Sequence, residues 1–287
     1  MAQIISGKEV AQKVRSEIAA EVAQMKESGI VPGLAVVIVG EDPASKVYVR
    51  NKKLACAEVG IYSEEYALPQ TTTEEELLSL IDTLNEKKDI HGILVQAPLP
   101  NGLDFKKVTE RISPMKDVDA FHPYNVGKIM IGDFDFLPCT PAGVMELLHH
   151  YDISVEGKNC VVLGRSNIVG KPQAMLLLKE NGTVTVCHSR TRDLASVTSQ
   201  ADILVVAIGK GEFITGDMVK EGAVVIDVGM NRNFEGKLVG DVAFSSVSEK
   251  ASYITPVPGG VGPMTITMLL KNTLKAAYLL EEKKNLL

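Results

Sequence analysis

Apolar runs that are typical of buried strands alternate along this chain with segments of helical periodicity. A strand buried on both faces is apolar along its length, and parallel strands are joined by crossover helices. The predicted strands cover residues 34–39, 61–68, 91–96, 159–163, 183–187, 203–207 and 223–228. This order predicts an α/β fold of two domains, each with a mainly parallel sheet flanked by helices.

Helix start signals precede several of the amphipathic segments. Ser6-Gly7-Lys8-Glu9 has the pattern of a capping box, and the helix that follows ends near Gly29. Asp42-Pro43 predicts an N-cap with proline in the first turn, opening a helix that runs to about residue 59. Thr73 with Glu76 forms a second capping box, and a short helix near 105–112 precedes a polar loop.

A proline-rich stretch at residues 138–141 divides the chain. We predict a first domain over 1–138 and a second, Rossmann-like domain over 139–263. Residues 256–263 are too rich in proline and glycine for a regular element. The amphipathic segment from Met264 to about residue 280 lies outside the strand–helix alternation, so we expect this C-terminal helix to return to the first domain.

The segment Val161 to Pro172 has the order strand, glycine turn, helix, which presents backbone N–H groups to a phosphate. Ser166 stands where a G-x-G-x-x-G pattern has its second glycine, so a plain strand-to-helix turn is an open alternative. The next strand ends in His188-Ser189-Arg190-Thr191-Arg192, without an acidic residue. A carboxylate at that place binds the ribose 2′-OH of NAD, whereas hydroxyl and arginine favour the 2′-phosphate of NADP.

Composition narrows the class of protein. With a net charge of −6 over 287 residues, the chain has no positive field that would attract nucleic acid or an anionic membrane. The N-terminus lacks the pattern of a signal peptide, and no apolar run approaches the ~20 residues of a membrane span. The cysteines at 56, 139, 160 and 187 have no C-x-x-C spacing, and the histidines show no metal-ligand pattern. These features predict a cytoplasmic protein with reduced thiols and without a metal.

Candidate chemistry in the first domain follows two predicted strands. Tyr48 and Lys52 are four residues apart on one helix and share a face, which suits a flat heterocyclic substrate beside a titratable amine. Gln96 follows the third strand, and the stretch from Lys116 to Asp119 lies in a loop. From the residues alone, a structural alternative stays open for each of them. Tyr48 and Lys52 could be an exposed surface pair, Gln96 a structural amide, and the charged residues of 116–119 solvated loop residues.

Eight stretches, in order and over nearly the whole chain, carry a resemblance to a known family: VGEDPASKVYVRNKK (39–53), GILVQAPLP (92–100), KDVDAFHPYNVGK (116–128), PCTPAGVMELL (138–148), GRSNIVGKP (164–172), CHSRT (187–191), VVIDVGMN (224–231) and PVPGGVGPMT (256–265). Together they resemble the bifunctional methylenetetrahydrofolate dehydrogenase/methenyltetrahydrofolate cyclohydrolase family. The resemblance implies NADP-dependent oxidation of 5,10-methylenetetrahydrofolate, then hydrolysis to 10-formyltetrahydrofolate. It also implies a small-molecule folate substrate and a homodimer.

The resemblance assigns roles to residues at matching positions. Lys52 would be the catalytic centre, with Tyr48 stacking on the folate, Gln96 hydrogen-bonded near the lysine and Asp119 holding the donor edge of the pterin. The residues implied to contact NADP are Gly164, Arg165, Ser166, Ile168 and Ser189. Those implied to line the substrate cleft between the domains are Pro258, Gly259 and Gly260, with the rest of the glycine-rich stretch up to Pro263.

Two positions depart from the family's pattern. Ala120 stands where the family commonly has glycine, and alanine is strained there if that position needs a positive φ. Leu54 stands where a second lysine is often found. Two alternative functions remain open on the sequence: a dehydrogenase that lacks the hydrolytic step, and a non-catalytic NADP-binding sensor on the same scaffold.

Overall fold

Strands and helices alternate through residues 1–285, the part of the chain that the computed structural model describes. The strands are β1 (Gln3–Ile4), β2 (Gly33–Val39), β3 (Tyr62–Leu68), β4 (Gly92–Val95), β5 (Asn159–Leu163), β6 (Thr183–Cys187), β7 (Ile203–Val206), β8 (Val224–Asp227), β9 (Asn231–Arg232), β10 (Leu238–Val239) and β11 (Tyr253–Ile254). The helices are α1 (Gly7–Glu27), α2 (Pro43–Val59), α3 (Glu74–Glu86), α4 (Phe105–Arg111), α5 (Pro123–Ile131), α6 (Cys139–His150), α7 (Gly170–Lys179), α8 (Leu194–Thr198), α9 (Phe244–Ser248) and α10 (Val261–Asn285).

The chain divides into two compact units. The three-stranded unit contains Lys13–Cys139 and residues 266–285, and the six-stranded unit contains Met1–Gln12 and Thr140–Thr265. The sequence-based domain boundaries assign residues 1–12 differently. They belong with the six-stranded unit because β1 pairs with β11, and a strand of two residues leaves no readable pattern in the sequence.

The three-stranded unit is built on a parallel sheet with the strand order β3-β2-β4. All seven residues of β2 are buried, because helices cover both faces of the central strand. The core on one face joins β2 and β4 to α3 through Val37, Ile93 and Leu77. The helix α10 returns to this unit, as predicted: the side chain of Asn272 donates to the carbonyl oxygens of Val118 and Leu137, each at 2.8 Å.

The six-stranded unit has the strand order β1-β11-β8-β7-β5-β6, and every neighbouring pair is parallel. The predicted mainly parallel α/β fold is therefore confirmed in this unit too. Strand order changes direction between β5 and β7, since α7 leads from β5 outward to β6 and the chain then crosses back to β7. In such sheets, ligands bind beyond the carboxyl ends of the strands at this point.

Local helix signals were mostly accurate. Asp42 caps α2 by accepting from the backbone N–H of Ser45 at 2.7 Å, and Thr73 with Glu76 makes both bonds of a capping box. The box predicted at Ser6 is only half formed. The Ser6 hydroxyl accepts from the Glu9 N–H at 3.4 Å, but the Ser6 N–H donates to the Tyr151 hydroxyl at 2.8 Å, so tertiary packing replaces the local partner.

Two predictions about irregular segments were wrong in part. α10 already begins at Val261, inside the stretch predicted to be irregular. Pro263 fits there because the first turn of a helix has no intrahelical N–H bonds for a proline to remove. The polar loop after residue 112 contains α5, with His122 as its N-cap: the His122 Nδ1 accepts from the Tyr124 N–H at 3.0 Å.

Candidate active site and dinucleotide site

Lys52 lies on α2 in the three-stranded unit and is only 9% exposed. The Asp42 cap fixes where α2 starts, which sets the face that carries Lys52. The amine of Lys52 donates to the side-chain oxygen of Gln96 at 2.9 Å. Gln96 follows β4, and its own backbone N–H donates to the Val37 carbonyl at 2.8 Å. The tertiary structure thus brings together a helix residue and a strand-end residue that are 44 positions apart.

Tyr48 lies one turn before Lys52 on α2 and is half-buried. Burial raises the pKa of the Tyr48 phenol, so its hydroxyl stays protonated near neutral pH. Residues four apart share a helix face. The aromatic ring and the amine therefore stand side by side, whereas Leu54 points its side chain to solvent with 59% exposed.

Two opposing effects act on the Lys52 amine. Burial lowers its pKa, and the charges of Asp119 and of the Cys139 and Cys56 thiols, when ionised, act in the other direction. Burial is the larger effect, so the pKa of Lys52 lies below its ordinary value. The neutral amide of Gln96 holds the amine without adding a negative charge, which leaves the amine available as a proton acceptor.

Asp119 is close enough to Lys52 for their charges to interact. Burial raises the pKa of its carboxyl group, while Lys52 and the Cys139 thiol lower it. Cys139 Sγ lies 3.5 Å from the Asp119 Oδ1 and 3.4 Å from the Val118 carbonyl oxygen. Burial raises the pKa of Cys139 well above its ordinary value, so the group beside Asp119 is a thiol. This neighbour could not be predicted from the sequence, because Cys139 and Asp119 are 20 positions apart.

The loop that carries Asp119 is built around Asp117, which is 1% exposed. The Asp117 carboxylate accepts from the backbone N–H of Phe121 at 3.3 Å, from that of His122 at 2.8 Å and from the Asn125 amide at 2.8 Å. Lys116 is also buried, and its amine donates to the carbonyl oxygens that end α3. The alternative of solvated loop charges is therefore wrong for these two residues, which are structural.

Ala120 follows Asp119 with φ of +57° and is fully buried. This is the left-handed region, where the Cβ of an L-residue crowds the backbone. The condition named in the sequence analysis, a positive φ at position 120, is therefore met in this chain. The Ala120 N–H donates to the Asp117 carbonyl oxygen at 3.1 Å, so the same turn that strains Ala120 sets the direction of Asp119.

Ala120→Gly is expected to change the free energy of unfolding by less than about 1 kcal/mol. The lost buried methyl group costs about 0.8 kcal/mol and the flexibility of glycine about 0.4–1 kcal/mol, while relief of the left-handed alanine returns about 1–2 kcal/mol. Ala35→Gly in β2, also fully buried, has no such relief and should cost about 1–2 kcal/mol. Urea denaturation of both variants measures their free energies of unfolding. An equal loss of free energy in Ala120→Gly and Ala35→Gly would show that the backbone at Ala120 is unstrained.

The six-stranded unit has a cavity of about 260 Å³ at the carboxyl ends of β5, β6 and β7. The residues that line it are Leu163, Gly164, Arg165, His188, Ser189, Leu194, Ala207, Ile208, Lys210 and Phe213. Gly164 has φ of +127°, and a Cβ there would lie 2.2 Å from the Ala207 carbonyl oxygen. Glycine at this position therefore allows β5 to turn tightly into the loop that borders the cavity.

The five residues implied to contact NADP fall into two groups. Gly164, Arg165 and Ser189 line the cavity. Ser166 and Ile168 lie outside this lining: the Ser166 hydroxyl accepts from the N–H of Val169 and of Gly170 at the start of α7, and Ile168 is 43% exposed. The lining also contains Lys210, which was not singled out from the sequence. The Lys210 Nζ lies 5.4 Å from the centroid of the Phe213 ring.

The glycine-rich stretch before α10 packs tightly against the start of α1. A Cβ on Gly7 would lie 1.8 Å from the Gly260 carbonyl oxygen, and the Lys8 N–H donates to the Gly259 carbonyl at 3.0 Å. Pro258 is exposed and Gly260 is buried. These contacts fix the backbone of Pro258, Gly259 and Gly260 within the six-stranded unit.

Among residues 1–285, no group of three or more His, Cys, Asp or Glu side chains is arranged to hold a metal ion. None of the helices in that range is both long enough and apolar enough to cross a membrane.

The fold and the two sites define a dinucleotide-binding α/β enzyme with a buried lysine centre in a separate unit. Two family models match: the tetrahydrofolate dehydrogenase/cyclohydrolase catalytic domain over residues 5–119, and the NAD(P)-binding domain of the same family over 138–281. The chain belongs to the tetrahydrofolate dehydrogenase/cyclohydrolase family.

Known relatives cover almost the whole chain. The bifunctional protein FolD of Acetivibrio thermocellus is 62% identical over 283 residues, which are 99% of each chain. The crystal structure of the Campylobacter jejuni bifunctional enzyme FolD is 51% identical with a TM-score of 0.95, covering 97% of this chain and 99% of that one. The Trypanosoma brucei FolD structure, complexed with NADP cofactor and an inhibitor, is 41% identical with a TM-score of 0.94 and covers 98% of both chains.

Proposed function

We propose that this chain oxidises 5,10-methylenetetrahydrofolate with NADP⁺ to the 5,10-methenyl cation and then hydrolyses that cation to 10-formyltetrahydrofolate. The first step transfers a hydride and yields NADPH; the second consumes water and releases a proton. The observation that carries the proposal is the buried Lys52 amine held at 2.9 Å by the neutral Gln96 amide, in a chain of this family.

The oxidation step depends on positioning. Loss of a hydride from the methylene bridge leaves a cation that its two neighbouring nitrogens stabilise, so no strong acid or base is needed. Bound NADP⁺ supplies the hydride acceptor. The half-buried ring of Tyr48 offers a stacking surface for the folate, and the Asp119 carboxylate accepts hydrogen bonds from the N–H-rich edge of the pterin. In the six-stranded unit, Gly164, Arg165 and Ser189 bind the dinucleotide.

The hydrolytic step depends on proton transfer. Water must lose a proton as it attacks the methenyl carbon, and the departing ring nitrogen must gain one. Lys52 suits both transfers because burial lowers the pKa of its amine. The positive charge of the methenyl substrate disfavours the ammonium form further. Gln96 fixes the direction of the amine, since the Gln96 side-chain oxygen accepts a hydrogen bond from one N–H of Lys52.

The proposal is tested by supplying methylenetetrahydrofolate with NADP⁺ or NAD⁺ and following methenyl and formyl products separately. Both products are expected with NADP⁺. Methenyl product alone would favour the monofunctional dehydrogenase, and binding of NADP⁺ without any folate-dependent absorbance change would favour the sensor. The contact between Lys52 and Gln96 favours the bifunctional enzyme over both, because neither alternative needs a buried amine.

Arg165→Ala is expected to weaken binding of NADP⁺ by about ten- to hundredfold and to leave NAD⁺ binding nearly unchanged. A charge-assisted hydrogen bond to the 2′-phosphate contributes about 1.5–3 kcal/mol, and NAD has no such phosphate. Arg165 and Ser189 both line the cavity. Titration of the purified protein with each dinucleotide measures the two dissociation constants.

Arg232→Ala is the matched control for this variant, because Arg232 is exposed, donates to the Gly236 carbonyl and lies outside the cavity lining. It should bind both dinucleotides like the wild type. Two results would contradict the assignment of the 2′-phosphate to Arg165. One is equal affinity of the wild type for NADP⁺ and NAD⁺, and the other is an equal loss of affinity for the two dinucleotides in Arg165→Ala.

The remaining assignments also follow from the resemblance. Pro258, Gly259 and Gly260 bind the substrate, and Ser166 and Ile168 contact NADP through the loop before α7. The enzyme works in the cytoplasm as a homodimer. Light scattering of the purified protein tests the dimer, with a mass near twice 30.9 kDa expected.

A further inference from the structure

Asp241, between β10 and α9, is fully buried in the six-stranded unit. Its Oδ2 accepts from the backbone N–H of Ile208 at 2.6 Å and of Gly209 at 3.0 Å, and its Oδ1 from that of Lys210 at 2.8 Å. Asn231 adds a fourth donor from its side chain at 2.9 Å. Successive backbone N–H groups that converge in this way form an anion-binding concavity, and here the protein's own carboxylate fills it.

The three residues whose backbone N–H groups donate to Asp241 form the loop after β7, and this loop borders the cavity assigned to the dinucleotide. Ile208 and Lys210 both line that cavity. Gly209 between them has φ of +66° and is exposed. The Ile208 side chain packs against the core of the unit, and the Asp241 carboxylate holds the backbone N–H groups of all three residues.

A second buried carboxylate holds the first. Asp227, at the end of β8, is 3% exposed and belongs to the VVIDVGMN stretch to which the proposed reaction assigns no role. Its Oδ1 accepts from the Asp241 N–H at 2.9 Å and its Oδ2 from the Val242 N–H at 2.9 Å. Burial raises the pKa of Asp227 to about 6, while these N–H donors act in the opposite direction.

Two glycines leave room for this pair of carboxylates. A Cβ on Gly240 would lie 1.8 Å from the Asp227 Oδ2, and a Cβ on Gly229 would lie 2.4 Å from the Asp241 Oδ1. At both positions a side chain would displace one of the carboxylates from its donors. Apart from the Asn231 side chain, the donors named above to both carboxylates are backbone N–H groups, so the arrangement specifies backbone geometry.

We propose that Asp241, held in place by Asp227, is a positioning residue for the dinucleotide, because it fixes the loop Ile208, Gly209 and Lys210 in the conformation that binds NADP. The inference rests on the proposed binding of NADP in this cavity. An asparagine at position 241 turns one carboxylate oxygen into an NH₂ group that faces N–H donors, so the loop loses at least one of its anchors.

Asp241→Asn is expected to raise the dissociation constant and the KM for NADP⁺ by about ten- to hundredfold, the range for a lost charge-assisted bond. Hydrolysis of added methenyltetrahydrofolate needs no dinucleotide, so it should stay within about twofold of the wild-type rate and serves as an internal control. Hydrogen exchange at Ile208, Gly209 and Lys210 should become faster. Asp217→Asn, the same change at an exposed aspartate of this unit, should alter none of these quantities.

Each outcome decides the proposal. Unchanged NADP⁺ binding in Asp241→Asn overturns it, and so does a parallel loss of both activities, which would mean that Asp241 only stabilises the fold. If Asp241→Asn does not fold, Asn231→Ala serves instead, because it removes a single donor to the same carboxylate. NADP⁺ binding and hydrolysis of methenyltetrahydrofolate are measured again, and a smaller, severalfold loss of NADP⁺ affinity is expected. A wild-type protein that does not bind NADP⁺ would instead refute the proposed function itself.

Discussion

Lys52→Met is expected to lower the rate of ring opening by about 10²–10⁴-fold, the range typical of a general acid–base group. Methionine keeps the apolar stem but removes the amine, so the attacking water has no proton acceptor. Dehydrogenase activity should fall less, because the proposed function assigns alignment of the substrate for hydride transfer to Tyr48, Asp119 and the dinucleotide site, which this variant leaves intact. Single-turnover product analysis should show methenyl product accumulating without formyl product.

Lys53→Met is the matched control. The Lys53 side chain is 61% exposed, and its amine lies 3.6 Å from the Glu65 carboxylate. A surface ion pair of this kind contributes at most about 1 kcal/mol, so both activities should stay near the wild-type level. Ring opening that survives in Lys52→Met at close to the wild-type rate would place the proton relay elsewhere.

The Lys52 amine should also make the rate of ring opening depend on pH. Only the neutral amine accepts a proton, so the enzymatic rate of ring opening should rise with pH through the pKa of Lys52, which burial places below its ordinary value. The rate without enzyme is subtracted at each pH. Lys52→Met should lack the rising limb, and an unchanged limb in that variant would assign the titration to another group.

Removal of the chain after Pro263 is expected to unfold the three-stranded unit. α10 buries Met268, Leu269, Leu270 and Leu274 at 0–3% exposure. Burial of each side chain of this size stabilises a fold by about 1.5–3 kcal/mol, so the four together contribute about 6–12 kcal/mol. This is comparable with the entire stability of a typical domain, about 5–15 kcal/mol. Circular dichroism and urea titration of the fragment 1–263 test the prediction.

Point variants on α10 give a graded version of this test. Leu270→Ala, at a fully buried position, should lower the free energy of unfolding by about 2–5 kcal/mol. Lys275→Ala on the exposed face should change it by no more than about 0.5 kcal/mol. A fragment 1–263 that binds folate and unfolds cooperatively would contradict the role assigned to α10.

The regular elements were readable from the sequence where local chemistry specifies them. The Asp42 cap with Pro43, the Thr73 capping box and the apolar run of β2 appear in the structure close to their predicted bounds. A cap is satisfied within four residues, and a strand buried on both faces must be apolar throughout. The strand β1 was missed because two residues carry no periodicity, and α5 was missed because its N-cap is a histidine, outside the usual set of Ser, Thr, Asp and Asn.

The candidate sites were only partly readable. Only the family resemblance implied that Gln96 lies near Lys52, and nothing in the sequence indicated the Cys139 thiol beside Asp119 or the pairing of Asp227 with Asp241. In each of these arrangements the partners come from different parts of the chain. The closest of them in sequence, Asp227 and Asp241, are 14 residues apart.

By itself, the sequence determined the α/β class, the family and the residue types that could carry the chemistry, and it predicts a preference for the 2′-phosphate of NADP at the tip of β6. These follow from local patterns, since periodicity, caps and motif order are properties of neighbouring residues. Only the tertiary structure decided which charged groups are desolvated: Lys52, Asp117 and Asp241 become buried while Lys53 stays in water. Burial and the direction of a pKa shift depend on every segment that packs around a group, and those segments are distant in sequence.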